Sequence, residues 1–477
     1  MRTITTPKSS VRSPSISYMK ITNTIRRFAW LSAFLTCAGL CVGAPVPSKR
    51  QPDVLFILVD DLGFADCGFK GGKDILTPNI DQLANGGTII DAHYVQPVCS
   101  PTRAALMTGR YGTRTGVYTV VTPHAQWGLP LKERTLANAL KDAGYSTAIV
   151  GKWHLGEFKP EYQPLARGFD THYGHYFGAL DYFTHRRNDE LDWYRNGVQL
   201  NEEGYTTHLL RDEACRIIEK QPKDKPLFLY LPFNGIHSPH QVPDSYLAPY
   251  SEVHGARQKL AGMLSAVDEA IGKIVSTLDQ TGRRSNTLIV FSSDNGGPNP
   301  CNNTPLQGFK GSLWEGGIRA AAFANWPGQI PAGVRTEEPM HVIDWYPTLL
   351  NLANGSLKQA EAIDGVDVWP MLTQGAPSPH ESILVASSPK TAALRIGDWK
   401  LTVNSIQNPK ERSKSNAKLG KNPDARPTIS LHNLAADPGE TMDLARQEPE
   451  RLTAMQAKLE EQLKNAVQPA GQTYEGN

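Results

Sequence analysis

The sequence predicts an α/β protein: a doubly wound sheet, followed by a smaller C-terminal α+β domain. Three observations predict it. Four short, continuous apolar runs each stop at a cluster of polar residues, and such runs mark strands buried on both faces. Helical patterns, with apolar residues three and four apart, lie among these runs, and that alternation packs helices on both faces of a sheet. Beyond residue 373 the pattern changes to strands of antiparallel type. At 477 residues, 40% hydrophobic and 20% charged, the chain can build a large packed domain and a small one. Its net charge of +2, from 49 basic and 47 acidic residues, argues against nucleic-acid binding by bulk charge. Any anion is read locally.

Residues 1–44 read as an N-terminal extension and signal peptide. Arg26 and Arg27 precede "FAWLSAFLTCAGLCVGA", which ends in small residues near Ala44, the form of a secretory signal. The run is short for a membrane span and is broken by Gly39 and Gly43. Export is therefore expected, to a periplasm or the cell exterior (the lysosome in an animal), with no stable membrane insertion after removal. Removal leaves Cys67, Cys99, Cys215 and Cys301, scattered and without C-x-x-C spacing. That set is neither a disulfide scaffold nor a zinc site. Residues 45–372 are expected to form the large domain and residues 373–477 the small one.

Within the large domain, "DVLFILVDDLG" is apolar from Val54 to Val59 and stops at Asp60 and Asp61, and "TPNIDQLANGG" is helical. In "PVCSPTRAALMTGR", Pro101 suits a first helical turn, Thr102 to Met107 read as helix and Gly109 suits the stop. Cys99 then lies just before a helix N-terminus, where unpaired N–H groups and the macrodipole favour negative charge. Arg103, four residues on, folds back along the same face. A buried Cys at an ordinary loop-to-helix junction fits the same pattern. After the helical "RTLANALKDAG", "STAIVGKWHLG" runs to Val150 and delivers Lys152 and His154. Two apart, these share one face of an extended segment, with Trp153 on the other. The helical "THLLRDEACRIIEKQ" leads to "PLFLYLPFNGIHSPH", which delivers His237, with His240 nearby. A long helical pattern through "AVDEAIGKIVSTLDQTG" leads to "NTLIVFSSDNGGP", apolar from Leu288 to Phe291 and ending at Asp294 and Asn295. "LQGFKGSLWEGGIR" places Lys310 in a Gly-rich loop whose backbone can approach a ligand closely. In the small domain, "ALRIGDWKLTVN" and "ISLHNL" read as antiparallel strands and Glu448 to Ala466 as an amphipathic closing helix.

Ligands of such sheets bind beyond the carboxyl ends of the strands, so these polar groups are predicted to share one crevice. Asp60, Asp61, Asp294 and Asn295 offer hard oxygen donors suited to Ca²⁺ or Mg²⁺. Crowded carboxylates repel one another unless a cation neutralises them. Read singly, each pair is also a strand-end turn, and "DNGG" is a turn sequence in its own right. Likewise Lys152 alone reads as a surface lysine and His154 as a satisfied core histidine. Assembled around Cys99, with Arg103, Lys152, Lys310, His154 and His237, they make a pocket for a tetrahedral oxyanion, sulfate or phosphate.

"VDDLGFADCG", "CSPTRAALMTGR", "GYSTAIVGKWHLG", "RGFDTHYG", "SDNGG" and "KGSLWEGGIR" stand in this order. Over residues 52–470 the chain resembles the sulfatases, in particular the N-acetylgalactosamine-4-sulfatases of arylsulfatase B type. The resemblance implies an alkaline-phosphatase-like fold and hydrolysis of sulfate esters. It implies that a formylglycine-generating enzyme oxidises Cys99 to Cα-formylglycine, with Pro101 and Arg103 as recognition elements. One hydroxyl of the hydrated aldehyde would attack sulfur, and deprotonation of the other would expel sulfate. By the same resemblance, Asp60, Asp61, Asp294 and Asn295, with the oxygen at position 99, would hold Ca²⁺ in preference to Mg²⁺. Arg103 and Lys152 would fix the formylglycine, Lys152 also touching sulfate, and His154 would take the second hydroxyl's proton. His237 and Lys310 would bind sulfate oxygens and assist the leaving alcohol.

Downstream, "GHYFGALDYFTHRRN" mixes aromatic and basic side chains. His185, Arg186 and Arg187 are candidate contacts to a sulfated saccharide, unless the stretch is a surface loop packed on the small domain. The expected substrate is an N-acetylgalactosamine or galactose 4-sulfate, attacked in exo fashion. Two other readings compete: a phosphonate or phosphate ester hydrolase of the same superfamily, and a non-catalytic binder of sulfated glycans. The binder predicts loss of a core residue, and none is missing.

Overall fold

The computed structural model describes residues 50–403 and 429–472, so the signal-peptide reading lies outside the described residues. Its main sheet contains β1 (Asp53–Val59), β2 (Thr88–Tyr94), β3 (Ser146–Lys152), β4 (Thr171–His175), β5 (Leu227–Pro232), β6 (Thr287–Ser293) and β7 (Arg319–Asn325). Their order is β2-β7-β6-β1-β5-β3-β4, with short strands beyond each end. The run β6-β1-β5-β3-β4 is parallel throughout. It contains all four apolar runs read from the sequence. By contrast, β7 is antiparallel to β6 and to β2, so the sheet is mixed.

β1 shows why the runs are unbroken. Val54, Phe56 and Leu58 enter one buried cluster, and Leu55, Ile57 and Val59 enter another on the opposite face. Successive side chains point to opposite faces, and each such burial is worth about 1.5–3 kcal/mol. The helices α1 (Pro78–Asn85), α2 (Cys99–Thr108), α3 (Leu136–Asp142), α4 (Thr206–Lys220) and α5 (Ala256–Gln280) agree with the helical patterns. α2 begins earlier than the sequence predicts. Val98 is its extended N-cap, Cys99 is already helical, and Gly109 ends it in the left-handed conformation at φ 66°.

The C-terminal sheet is antiparallel, in the order β8 (Ile383–Ser388), β9 (Thr391–Ile396), β10 (Trp399–Val403), β11 (Ile429–Asn433). α6 (Pro449–Leu463) follows, three residues shorter than predicted at its C-terminal end. Leu394, Leu401, Leu431, Met455 and Leu459 join the same apolar cluster as Phe56 of β1. The small sheet is thus built onto the main core.

Candidate active site

Strand register assembles the site. Val59 of β1 pairs with Ser293 of β6, and Leu58 with Pro232 of β5, so the residues that follow each strand meet. Past the sheet, the Asp60 N–H donates to the Gly235 carbonyl (2.9 Å), and the Ile236 N–H donates to the Asp60 carbonyl (2.9 Å). Asp61 turns into the left-handed region at φ 66°. There its N–H reaches Asp294 Oδ1 (3.3 Å), and Asn295 Nδ2 donates to Asp61 Oδ1 (2.8 Å). All four are buried, as is Cys99 at 2% exposure. One ligand atom each from Asp60, Cys99 and Asp294 lie within 4.8 Å of one another, as do atoms from Asp60, Asp61 and His237.

Three cations face the three carboxylates. Arg103, fully buried, donates from Nη2 (2.7 Å) and Nε (3.2 Å) to Asp294 Oδ2, and from Nη1 to the Lys152 carbonyl (3.1 Å). Lys152 Nζ sits 2.5 Å from Asp60 Oδ2, and Lys310 Nζ 2.6 Å from Asp61 Oδ1. Burial pushes the Asp60 carboxyl up, but Lys152, His237 and Arg103 outweigh it and hold it below its ordinary range. Asp61 is lowered likewise, burial being outweighed by Lys310 and His237. Asp294 is pushed up, by burial and by the neighbouring Asp60 charge. Burial raises the Cys99 thiol as well, against the pull of Lys152 and Lys310. Asp60 Oδ1 and Asn295 Oδ1 are buried without a hydrogen-bond partner among the described residues. Two orphaned oxygens in a shell of hard donors fit a divalent cation of the Ca²⁺ or Mg²⁺ type.

His154 lies beyond the end of β3 at φ 59°. It therefore does not share a pleat face with Lys152 as the spacing predicts; a left-handed turn aims it instead. Its Nε2 is 2.9 Å from the Val121 carbonyl. A carbonyl only accepts, so Nε2 carries the proton and Nδ1 holds a lone pair. That Nδ1 is buried and has no hydrogen-bond partner among the described residues. Burial, then Lys152 and Arg103, push the imidazole well below its usual range, so it is neutral. Ser100 Oγ donates to the His154 carbonyl (2.9 Å) and accepts from the Val121 N–H (3.0 Å), tying ring and helix together. His237, partly open to solvent, has Nδ1 at 2.6 Å from the Ser238 carbonyl and Nε2 at 3.6 Å from Asp61 Oδ2. His240 is half-buried nearby.

The basic loop behaves differently. His185 is fully buried, with Nε2 on the Gly204 carbonyl (3.0 Å) and its ring stacked on Trp193 (4.6 Å between centroids). Its reading as a substrate contact is corrected: packing holds it in the core. Arg186 and Arg187 pair with Leu191 and Glu190 in a hairpin. Their hydrogen bonds go to the Asp189 carbonyl (2.6 Å) and the Ala179 carbonyl (3.4 Å), within their own loop. The same stretch supplies two residues that sequence reasoning missed. The Tyr182 hydroxyl lies 2.6 Å from the Asn234 carbonyl and 2.7 Å from that of His237, bracing the His237 loop. Gly178 lies against His154, where a Cβ would come within 2.4 Å of Nε2. Ser100, missed too, had its adjacency to Cys99 as its only signal. Cys67, Cys99, Cys215 and Cys301 are all outside disulfides.

Known proteins resemble this chain in sequence and in fold. The family model described as Sulfatase matches residues 52–356. Arylsulfatase J of Mus musculus is 36% identical over 471 residues, covering 89% of this chain and 78% of that protein. N-acetylgalactosamine-6-sulfatase of Homo sapiens is 34% identical, covering 70% and 67%. Among solved structures, Ps i-CgsB in complex with k-i-k-neocarrahexaose superposes with a TM-score of 0.79 at 33% identity, covering 88% of this chain and 94% of that one. The mixed sheet with its added C-terminal sheet is the alkaline-phosphatase-like arrangement. On motif, fold and similarity together, the chain belongs to the sulfatase family.

Proposed function

We propose that this protein hydrolyses sulfate esters of a sulfated saccharide, with Cys99 converted to Cα-formylglycine by a formylglycine-generating enzyme. The observation that carries the reading is the buried His154 Nδ1 lone pair, beside three carboxylates and three cations gathered around Cys99. Asp60, Asp61, Asp294 and Asn295, with position 99, would hold the cation, and an all-oxygen protein set favours Ca²⁺. When present, the cation and the formylglycine supply charge neutralisation and a nucleophile that can regenerate itself.

The chain's own residues do the rest. Arg103 braces Asp294 and the Lys152 carbonyl, fixing the wall against which position 99 sits. Lys152, Lys310 and His237 present N–H donors to sulfate oxygens. With Nδ1–H directed at the Ser238 carbonyl, a protonated His237 Nε2 is the donor for the leaving alcohol. His154 Nδ1 accepts the proton released as sulfate departs. Export and the division into residues 45–372 and 373–477 belong to the same proposal.

For substrate we propose a galactose or N-acetylgalactosamine 4-sulfate. The names of the relatives, which include N-acetylgalactosamine-6-sulfatase and a complex with an oligosaccharide, support the sugar class. The test is a panel of 2-, 4- and 6-sulfated monosaccharides and defined oligosaccharides, with phosphate and phosphonate esters as controls. The 4-sulfates are expected to be cleaved with the highest kcat/KM. Preference for 6-sulfates discards the position but keeps the reaction; preference for a phosphonate diester overturns the sulfatase reading.

A further inference from the structure

A cavity of about 930 Å³ between α1, α5 and the 327–332 loop includes Arg284 just before β6 and so lies at the amino ends of the strands, away from the chemistry. A smaller one, about 330 Å³, is lined by Tyr176, whose carbonyl accepts from the His154 N–H (3.0 Å). Its walls continue the three segments that hold the His154 ring. His124 lies three residues past Val121, Glu157 and Phe158 lie three and four past His154, and Tyr176 and Phe177 precede Gly178. Tyr194 and Glu190 close the far side. His124 Nε2 and the Glu190 carboxylate meet at 2.9 Å, joining the 119–127 loop to the 186–191 hairpin.

Two features define what fits there. The wall is aromatic, with Tyr194 stacked on Tyr176 (4.4 Å between centroids) and Phe177 edge-on to His124 (5.5 Å). Aromatic walls with a few polar groups suit the apolar faces and hydroxyls of a sugar ring. The volume, near the lower end of the ligand-pocket range of about 300–1,000 Å³, suits one ring. The ionisable lining is Glu157, Glu190 and His124, and none of the described lining residues is Lys or Arg. A second sulfate or a uronate placed there would face two carboxylates and find no guanidinium or ammonium in the wall. The catalytic site, by contrast, sets Arg103, Lys152 and Lys310 among its carboxylates.

We propose that this cavity is the subsite for the sugar adjoining the sulfated one, and that it accepts a neutral ring and rejects a charged one. The proposal rests on the sulfatase reading and adds a rule of selection to it. The test compares the sulfated monosaccharide with two disaccharides, one with a neutral neighbouring ring and one with a sulfated neighbour. Wild-type kcat/KM is expected to favour the neutral neighbour over the charged one by about 10-fold or more, the scale of a well-matched pocket. Glu190→Lys should narrow that gap about five- to tenfold and leave the monosaccharide unchanged within about twofold. Glu190→Gln, which keeps a partner for His124, should fall between. Equal rates on both disaccharides, or a variant that moves all three substrates together, overturn the proposal. Calorimetric titration with the fully desulfated oligosaccharide separates the two readings, since it needs no turnover. Weaker binding to Tyr194→Ala than to wild type supports the subsite even if no ester is cleaved, and unchanged binding overturns it.

Discussion

Arg103 and Asp294 form a buried ion pair within the site, and neither tolerates loss of the other. Asp294→Ala should abolish metal binding and activity. It should also cost about 3–5 kcal/mol by stranding a buried guanidinium, measured by metal stoichiometry and urea unfolding. Cys99→Ala should remove turnover and leave the circular dichroism spectrum unchanged. His154→Gln should lower kcat by about 10²–10⁴-fold, the range for a lost general base, with KM altered far less. Gly178→Ala should act in the same direction through the ring it would displace, and a variant with wild-type kcat would remove Gly178 from the positioning of His154. Lys152, His237, Asp294 and their fellows were legible because each follows an apolar run that can only be a buried strand. His185 was misread because an aromatic and basic stretch looks alike whether it meets substrate or packs. Its stack on Trp193, eight residues on, and its bond to the Gly204 carbonyl depend on how the loop folds back on itself, which composition does not reveal.

Lys310 depends on an element whose support comes from the other sheet. Its loop is tied beside Cys99 by the Gly311 N–H on the Pro97 carbonyl (2.7 Å). Five residues on, Glu315 accepts from the Tyr94 hydroxyl (2.8 Å) and from Lys400 of β10 (3.0 Å), which also holds Glu440 (2.8 Å). One lysine serves two buried carboxyls. Burial pushes Glu440 up to about 7, the Glu315 charge adding to it against Lys400, while Lys400, Arg319 and Arg395 outweigh burial to keep Glu315 low. Between its ordinary 4.5 and about 7, folded Glu440 keeps a proton that the unfolded chain releases. Stability should therefore fall as pH rises through that window and level off above it, by about 1–3 kcal/mol. Glu440→Gln should flatten the decline, raising Tm relative to wild type at pH 8 and not at pH 4.5. None of this network was readable in the sequence, since "KGSLWEGGIR" gives no sign that its Glu faces a lysine 85 residues away.

For the molecule as a whole, the parallel heart of the sheet was legible and its flank was not. β7, "RAAAFAN", is too rich in alanine to signal a strand. β2, "TIIDAHY", carries Asp91 and His93, which Lys70 and Arg335, and Trp345 and Ser292, make tolerable there. Chelation tests the assembled site. Removing divalent ions should lower Tm and abolish activity, and Ca²⁺ should restore both at lower concentration than Mg²⁺, by linkage of binding to folding. The burial of Cys99 bears on timing. A thiol 2% exposed, inside the first turn of a helix packed on the sheet, is beyond the reach of any converting enzyme that must grip the flanking Ser-Pro-Thr-Arg backbone. If Cys99 is converted as proposed, conversion has to be finished while the chain is still open, and the finished fold becomes a seal on whichever species went in. Offered to the converting enzyme, folded unconverted protein should show no exchange of H₂S for oxygen by intact mass, whereas a peptide spanning residues 95–110 should convert. A batch folded without that step would be permanently silent, its specific activity a record of its synthesis.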